Sequence, residues 1–152
     1  MDRVFKKMSD ATKVDLKSYC VGMIEQNPEI KIYIGTDSQN ISSKTVFVTT
    51  VVFRFENHGA HVIYHKEKTK RVSDLWTRLW GELQRSIDVA GYLKFEGGID
   101  IHQIDLDINS DPMYPSNKVL HAAVGYAQSL GYNTKTKPEE LIATWAADLL
   151  CN

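Results

Sequence analysis

The sequence predicts an α/β domain built on a mixed five-stranded sheet: three antiparallel strands plus two parallel additions, helices on both faces, and an extra N-terminal helix. Three observations predict it. Residues 30–68 hold three β-rich runs joined by short polar connections, which reads as an antiparallel meander. After Ser73, helical and strand periodicities alternate, and such crossovers add parallel strands to a sheet. The chain has 152 residues, the usual size of one domain, with no repeat, low-complexity tract or linker. Residues 1–152 are therefore read as a single domain, with 1–28 as a helical extension and 29–152 as the core.

The first helix is expected over 9–26, capped by Ser9 or Asp10, with Leu16, Tyr19, Cys20, Met23 and Ile24 at helical spacing. Asn27-Pro28 ends it, because the residue before a proline avoids the helical region. The first strand is expected over 30–37, with the polar stretch 38–43 turning the chain. Residues 45–55, dense in Val, Thr and Phe, are the strongest strand signal. Glu56-Asn57-His58-Gly59 reads as a hairpin turn, and a third strand returns over 60–68. Ser73 and Asp74 open a long helix to about Phe95, with Leu75, Leu79, Leu83, Ile87 and Ala90 as its buried stripe. Gly97-Gly98 stops it. A strand over 99–108, a loop with Pro112 and Pro115, a helix over 117–130 and a short strand over 132–136 follow. Pro138 starts the last helix, where its missing N–H costs nothing.

Composition excludes several classes. Hydrophobic residues make up 43% and charged residues 24%, ordinary for a globular domain. No apolar run approaches the ~20 residues that span a bilayer. The charged N-terminus lacks the apolar core of a secretory signal. The two cysteines, Cys20 and Cys151, are far apart and in no metal-ligand spacing, so reduced thiols and a cytoplasmic location are expected. Lys and Arg number 18 against 19 Asp and Glu, a net charge of -1. That balance alone argues against a nucleic-acid partner, but the placement of charge matters more than its sum.

Most acids fall on expected exposed faces. Asp37 ends the first, apolar strand, where it either caps the following turn or serves a site. Asp105 and Asp107 share one strand face by alternation, a repulsive arrangement unless the edge is solvated or a cation binds. Glu82 flanks the apolar stripe of the long helix, and Asp148 flanks that of the last helix. Taken together, one acid ends the first strand, one lies midway along the long helix, one ends the fourth strand and one lies in the last helix. Carboxylate oxygens are the preferred ligands of Mg²⁺ and Mn²⁺.

These features resemble the ribonuclease H-like superfamily: the strand order, the motif Thr36-Asp37-Ser38, and the acids Asp37, Glu82, Asp107 and Asp148 in that order. More narrowly, the chain is similar to the YkuK-type predicted RNase H-related nucleases. It shares Ile34-Gly35-Thr36-Asp37-Ser38-Gln39, Leu106-Asp107-Ile108, Ala123-Val124-Gly125, Leu130-Gly131-Tyr132, Lys137-Pro138 and Ala147-Asp148. The resemblance runs from about Ile30 to the C-terminus. Asp105 and Asn109 depart from that family's pattern, which has His and Gly there.

The resemblance implies a metal-dependent nuclease hydrolysing phosphodiester bonds with two divalent ions, Mg²⁺ or Mn²⁺. Asp37 would bridge both ions, Glu82 and Asp107 would hold one side, and Asp148 the other. Asp105 is an additional candidate ligand. Nucleic acid, DNA or RNA, is the expected partner, and no membrane is. Lys66, Lys68, Lys70, Arg71, Lys135 and Lys137 are the candidate phosphate contacts, with a solvated loop as the plain alternative for 66–71. Trp76, Trp80 and Tyr114 could stack bases, although helical spacing favours core packing for the two tryptophans. The competing reading is a non-catalytic nucleic-acid-binding or scaffold protein on the same fold.

Overall fold

The computed structural model describes residues 3–56, 59–109, 111, 113–137 and 141–151. Asn57 and His58 of the expected turn, Pro112 and Pro138 lie outside them. The chain opens with two short strands, β1 (Phe5–Lys7) and β2 (Lys13–Val14), paired as a hairpin. Helix α1 (Leu16–Gln26) leads to three strands: β3 (Lys31–Ile41), β4 (Lys44–Arg54) and β5 (Ala60–Lys70). Helix α2 (Leu75–Gly97) and strand β6 (Gln103–Asn109) follow. A 3-10 turn at Pro115–Val119 runs into helix α3 (Leu120–Ser129), then β7 (Thr134–Lys137) and α4 (Ile142–Cys151).

The strand order is β2-β1-β5-β4-β3-β6-β7. Strands β3, β4 and β5 form the antiparallel meander, and β6 and β7 join it in parallel. The sheet therefore has seven strands, not the five expected. The two extra strands come from the N-terminal segment: β1 precedes the helix expected from Ser9, and β2 falls inside its first turns. Asp10 instead accepts the Thr12 N–H at 2.9 Å, and Ala11 takes a positive φ of 61°, so the chain turns back on itself. The helix starts later, at Asp15, whose carboxylate accepts from both the N–H and the hydroxyl of Ser18. None of the described helices is long and apolar enough to cross a membrane.

Strand alternation sorts the sheet into two faces. Ile32, Ile34, Val51, Phe53, Ile63, Ile104 and Leu106 pack beneath the helices α1, α2 and α3 through Leu83, Val89, Leu93 and Ala127. Tyr33, Val46, Val48 and Val52 face the other way, against Ala143, Ala147 and Cys151 of α4. Ala143 sits with Tyr33 and Val52, while Ala147 and Cys151 sit with Val46 and Val48. Helix α4 thus runs in the same direction as β3, from Tyr33 toward Asp37, which lies opposite Val48.

Asp37 does not end its strand. β3 continues to Ile41 and turns through Ser42 (φ 53°) and Ser43. Its polar end is held by side chains: Asn40 accepts from Thr45 Oγ1 and donates to the Val72 carbonyl. What ends near Asp37 is the pairing with β6, recorded over Tyr33, Ile34 and Gly35. Beyond that point the two parallel strands leave a crevice at their carboxyl ends, a favoured location for binding sites in such sheets.

Candidate metal centre

Three acids meet in this crevice. Asp37 on β3 and Asp107 on β6 share the α4 side of the sheet, and Glu82 reaches in from α2. One carboxylate oxygen from each lies within 4.8 Å of the others. Glu82 is only 7% exposed and Asp37 only 8%. Ser38 ties two of them together: its N–H donates to Asp37 Oδ1 at 2.9 Å and its hydroxyl to Glu82 Oε2 at 3.2 Å.

The electrostatics follow from crowding. Burial, then the Asp107 charge, push the Asp37 carboxyl up to about 7, against the opposing pull of the Ser38 N–H. Burial, then the charges of Asp37 and Asp107, push Glu82 well above the usual carboxylate range, while Ser38 and the Arg78 guanidinium oppose that rise. Like charges this close cannot all ionise without a compensating cation.

Asp148 on α4 is solvent-exposed and lines the same cleft, of about 340 Å³, as Asp37, Glu82 and Asp107. It lies outside the close triad, but a hydrogen bond between it and Asp37 favours Asp37's protonated form. Lys137 at the end of β7 forms an ion pair with Asp107, and this contact raises the lysine's pKa.

Asp105 lies elsewhere. It is 2% exposed, and its two oxygens accept from Gln103 Nε2 at 2.7 Å and from the Ala143 N–H at 2.8 Å. It therefore caps the first turn of α4. Two further features seat that turn. A Cβ on Gly35 would lie 2.8 Å from Ala143 Cβ, so only glycine lets the helix approach so closely. Thr50 Oγ1, opposite Gly35 in the sheet, donates to the Ala143 carbonyl at 2.7 Å. Asp148 stands five residues further on, about 7.5 Å along the helix axis, which brings it over Asp37.

The expected phosphate contacts separate. Lys66 donates to the Leu150 carbonyl at the C-terminal end of α4. Arg71 donates to the Ser42 carbonyl, tying the hairpin. Lys68 and Lys70 are exposed on β5, which extends through the segment expected as a loop, and Lys135 is exposed on β7. Trp80 packs partly buried beside Tyr126, with ring centroids 5.8 Å apart. Trp76 is 46% exposed, and Tyr114 lines the cleft. Leu75, expected in the buried stripe, is exposed at the cleft rim.

Sequence reasoning missed Arg78. It stands one helical turn before Glu82 and lines the cleft, and its buried Nε has no hydrogen-bond partner among the described residues. Its spacing from Glu82 was the available signal.

An acid-lined crevice at the parallel edge of a meander, closed by a helix on each face, defines a domain of nuclease-like fold. The family model described as Ribonuclease H-like matches residues 15–151, and the chain belongs to that family. The match includes α1, which the sequence placed outside the resemblance. No curated protein and no solved structure matches the chain.

Proposed function

We propose that the protein is a divalent-metal-dependent nuclease, with Asp37, Glu82, Asp107 and Asp148 as its working acids. The observation that carries this reading is the triad of carboxylates within 4.8 Å, with Glu82 buried and Asp107 partly buried. The donor set is all hard oxygen, suited to Mg²⁺ or Mn²⁺. Burial first, and the neighbouring carboxylate charges second, raise Asp37 and Glu82, and a bound cation would offset both. Asp37, Glu82 and Asp107 would hold one ion, and Asp37 with Asp148 a second. Such ions, when bound, supply charge stabilisation for the phosphate and an activated water.

The chain's own residues do the rest. Ser38 fixes the rotamers of Asp37 and Glu82. The cap, the glycine and Thr50 at the start of α4 set the position of Asp148. Arg78 offers an unspent donor to a substrate phosphate, and guanidinium geometry suits that role.

One observation favours a second reading, nucleic-acid binding without turnover: Lys137 already supplies a positive charge to Asp107. A single preparation separates the two. Labelled single-stranded DNA, duplex DNA, RNA and RNA/DNA hybrid are incubated with Mg²⁺ or Mn²⁺, with Asp37→Asn as control. Metal-dependent cutting by the wild type alone supports the nuclease. Binding without cutting, and no Mn²⁺-induced thermal shift, supports the second reading.

A further inference from the structure

We propose that Lys44, Lys68 and Lys70 form a track that carries the phosphodiester backbone of a single nucleic-acid strand away from the acidic cleft. The inference rests on the nuclease reading for its partner, and on strand register for its geometry.

Cross-strand pairing aligns Asp37 with Val48 and Lys66, then Gln39 with Val46 and Lys68, then Ile41 with Lys44 and Lys70. These residues share the sheet face that carries Asp37 and α4. Lys66, in the row of Asp37, is bound to the end of α4. In the next row Val46 is buried under the end of α4 at Cys151 while Lys68 stands exposed at the edge, and in the row after it Lys44 and Lys70 are exposed. Gln39, which lines the cleft, leads into the row of Lys68. With strand residues rising ~3.4 Å and strands ~4.8 Å apart, Lys68 and Lys70 stand about 12 and 17 Å from Asp37 between Cα atoms. That is a reach of two or three nucleotides, and the step from Lys68 to Lys70 is comparable to the distance between successive phosphates.

Charge placement supports the same conclusion. Glu67, the acid inside this basic run, points to the opposite face and pairs with Arg85 at 2.9 Å. Lys44 and Lys70 are direct cross-strand neighbours, an arrangement that destabilises a sheet unless an anion sits between them. Among the described residues neither they nor Lys68 form an ion pair. At the other end of the sheet, Lys31 also opposes Arg54, but there Glu29 and Glu56 line the same cavity and balance the charge. Of these two ends of the β3–β5 meander, the one nearer the cleft has no acid among the described residues paired with its cations. They form one narrow file, which follows one backbone and not the two of a duplex. DNA and RNA share this backbone chemistry.

The test compares the wild type with a Lys44→Gln/Lys68→Gln/Lys70→Gln variant. Fluorescence anisotropy with Ca²⁺ follows labelled oligothymidylate and oligouridylate about twelve nucleotides long. The variant is expected to bind about tenfold more weakly at low salt, with a log–log salt slope shallower by about 2, three contacts at ~0.7 each. With Mn²⁺, the ratio of oligonucleotide cleavage to cleavage of the p-nitrophenyl ester of thymidine 5′-monophosphate is expected to fall by a similar factor. Loss with one oligonucleotide only assigns the track to DNA or to RNA. Unchanged affinity and slope, or no wild-type binding to either strand, overturns the track even if cleavage is robust. Binding that weakens as expected in a protein that cleaves nothing upholds the track and removes the nuclease reading instead.

Discussion

The carboxylate of Asp105 accepts the backbone N–H of Ala143 across 38 residues of sequence, at 2.8 Å in a buried setting. This bond fastens the helix that carries Asp148 to the strand that carries Asp107. Asp105→Ala leaves a buried N–H without a partner, which costs about 1–3 kcal/mol, and thermal melts are expected to show that loss. Asp105→Asn keeps an oxygen for Ala143 and costs less. Asp105 stands apart from the acid triad, so its Asn variant keeps the Mn²⁺-induced rise in melting temperature that Asp37→Asn loses. Equal loss in both would make Asp105 a ligand.

Gly35 sets the same helix from below. A methyl group there lies 2.8 Å from Ala143 Cβ and 2.9 Å from the Thr144 nitrogen, so Gly35→Ala forces α4 off the sheet. Overpacking of this kind costs about 1–3 kcal/mol. Cleavage is expected to fall with it, through displacement of Asp148. Gly22 is the control: nothing lies within 4 Å of its Cβ position in α1. Gly22→Ala is expected to stabilise the protein by about 0.5–1 kcal/mol. Chemical denaturation would read both changes, and a tolerated Gly35→Ala would contradict the close approach of α4.

Much of this site was legible in the sequence because it depends on local periods. Alternation places Asp105 and Asp107 on one face, and the helical stripe places Glu82 on its boundary. What was not legible depends on partners distant in the chain. Asp105 and Asp107 look alike in sequence, yet one caps a backbone N–H of α4 while the other faces Asp37 and Glu82. Strand β1 is three residues long and owes its existence to pairing with β5, at Tyr64 and Ile63. The polar residues 38–40 resemble a turn, but Asn40 and Thr45 satisfy one another and the strand continues. Lys66 to Lys70 resemble a loop for the same reason: their strand character comes from β4.

Ser38 links Asp37 and Glu82 through its N–H and its hydroxyl. Ser38→Ala keeps the first bond and removes the second. Groups that orient metal ligands typically contribute 10–100-fold to affinity or activity. A loss in that range is expected in Mn²⁺-dependent cleavage, with little change in melting temperature when a chelator is present. Full activity in Ser38→Ala would show that Glu82 needs no such restraint.

The raised acids make metal-free stability depend on pH. Asp37 moves from an ordinary 3.8 to about 7, and Glu82 moves in the same direction. The folded state therefore binds protons that the unfolded chain has released. Their contribution is complete below about pH 4 and lost as pH rises through about 7. With a chelator, wild-type melting temperature is expected to fall between about pH 5 and pH 8 more steeply than that of Asp37→Asn. The gain from Mn²⁺ grows over the same window, because binding must displace those protons. Parallel profiles for the two proteins would contradict the assigned shift of Asp37.

Lys137 competes for Asp107 with any bound cation, and its partly exposed ion pair sets the scale of that competition. Exposed pairs contribute about 0.2–1 kcal/mol, so Lys137→Gln is expected to tighten Mn²⁺ binding by up to about fivefold, read from the Mn²⁺ dependence of the melting temperature. The same change removes a cation from the cleft, so affinity for oligonucleotides falls while metal affinity rises. Those opposite signs distinguish a lysine that exchanges Asp107 for a phosphate when metal arrives from one that only fills a structural gap. In the second case both affinities fall together, because Asp107 loses the partner that holds it in place.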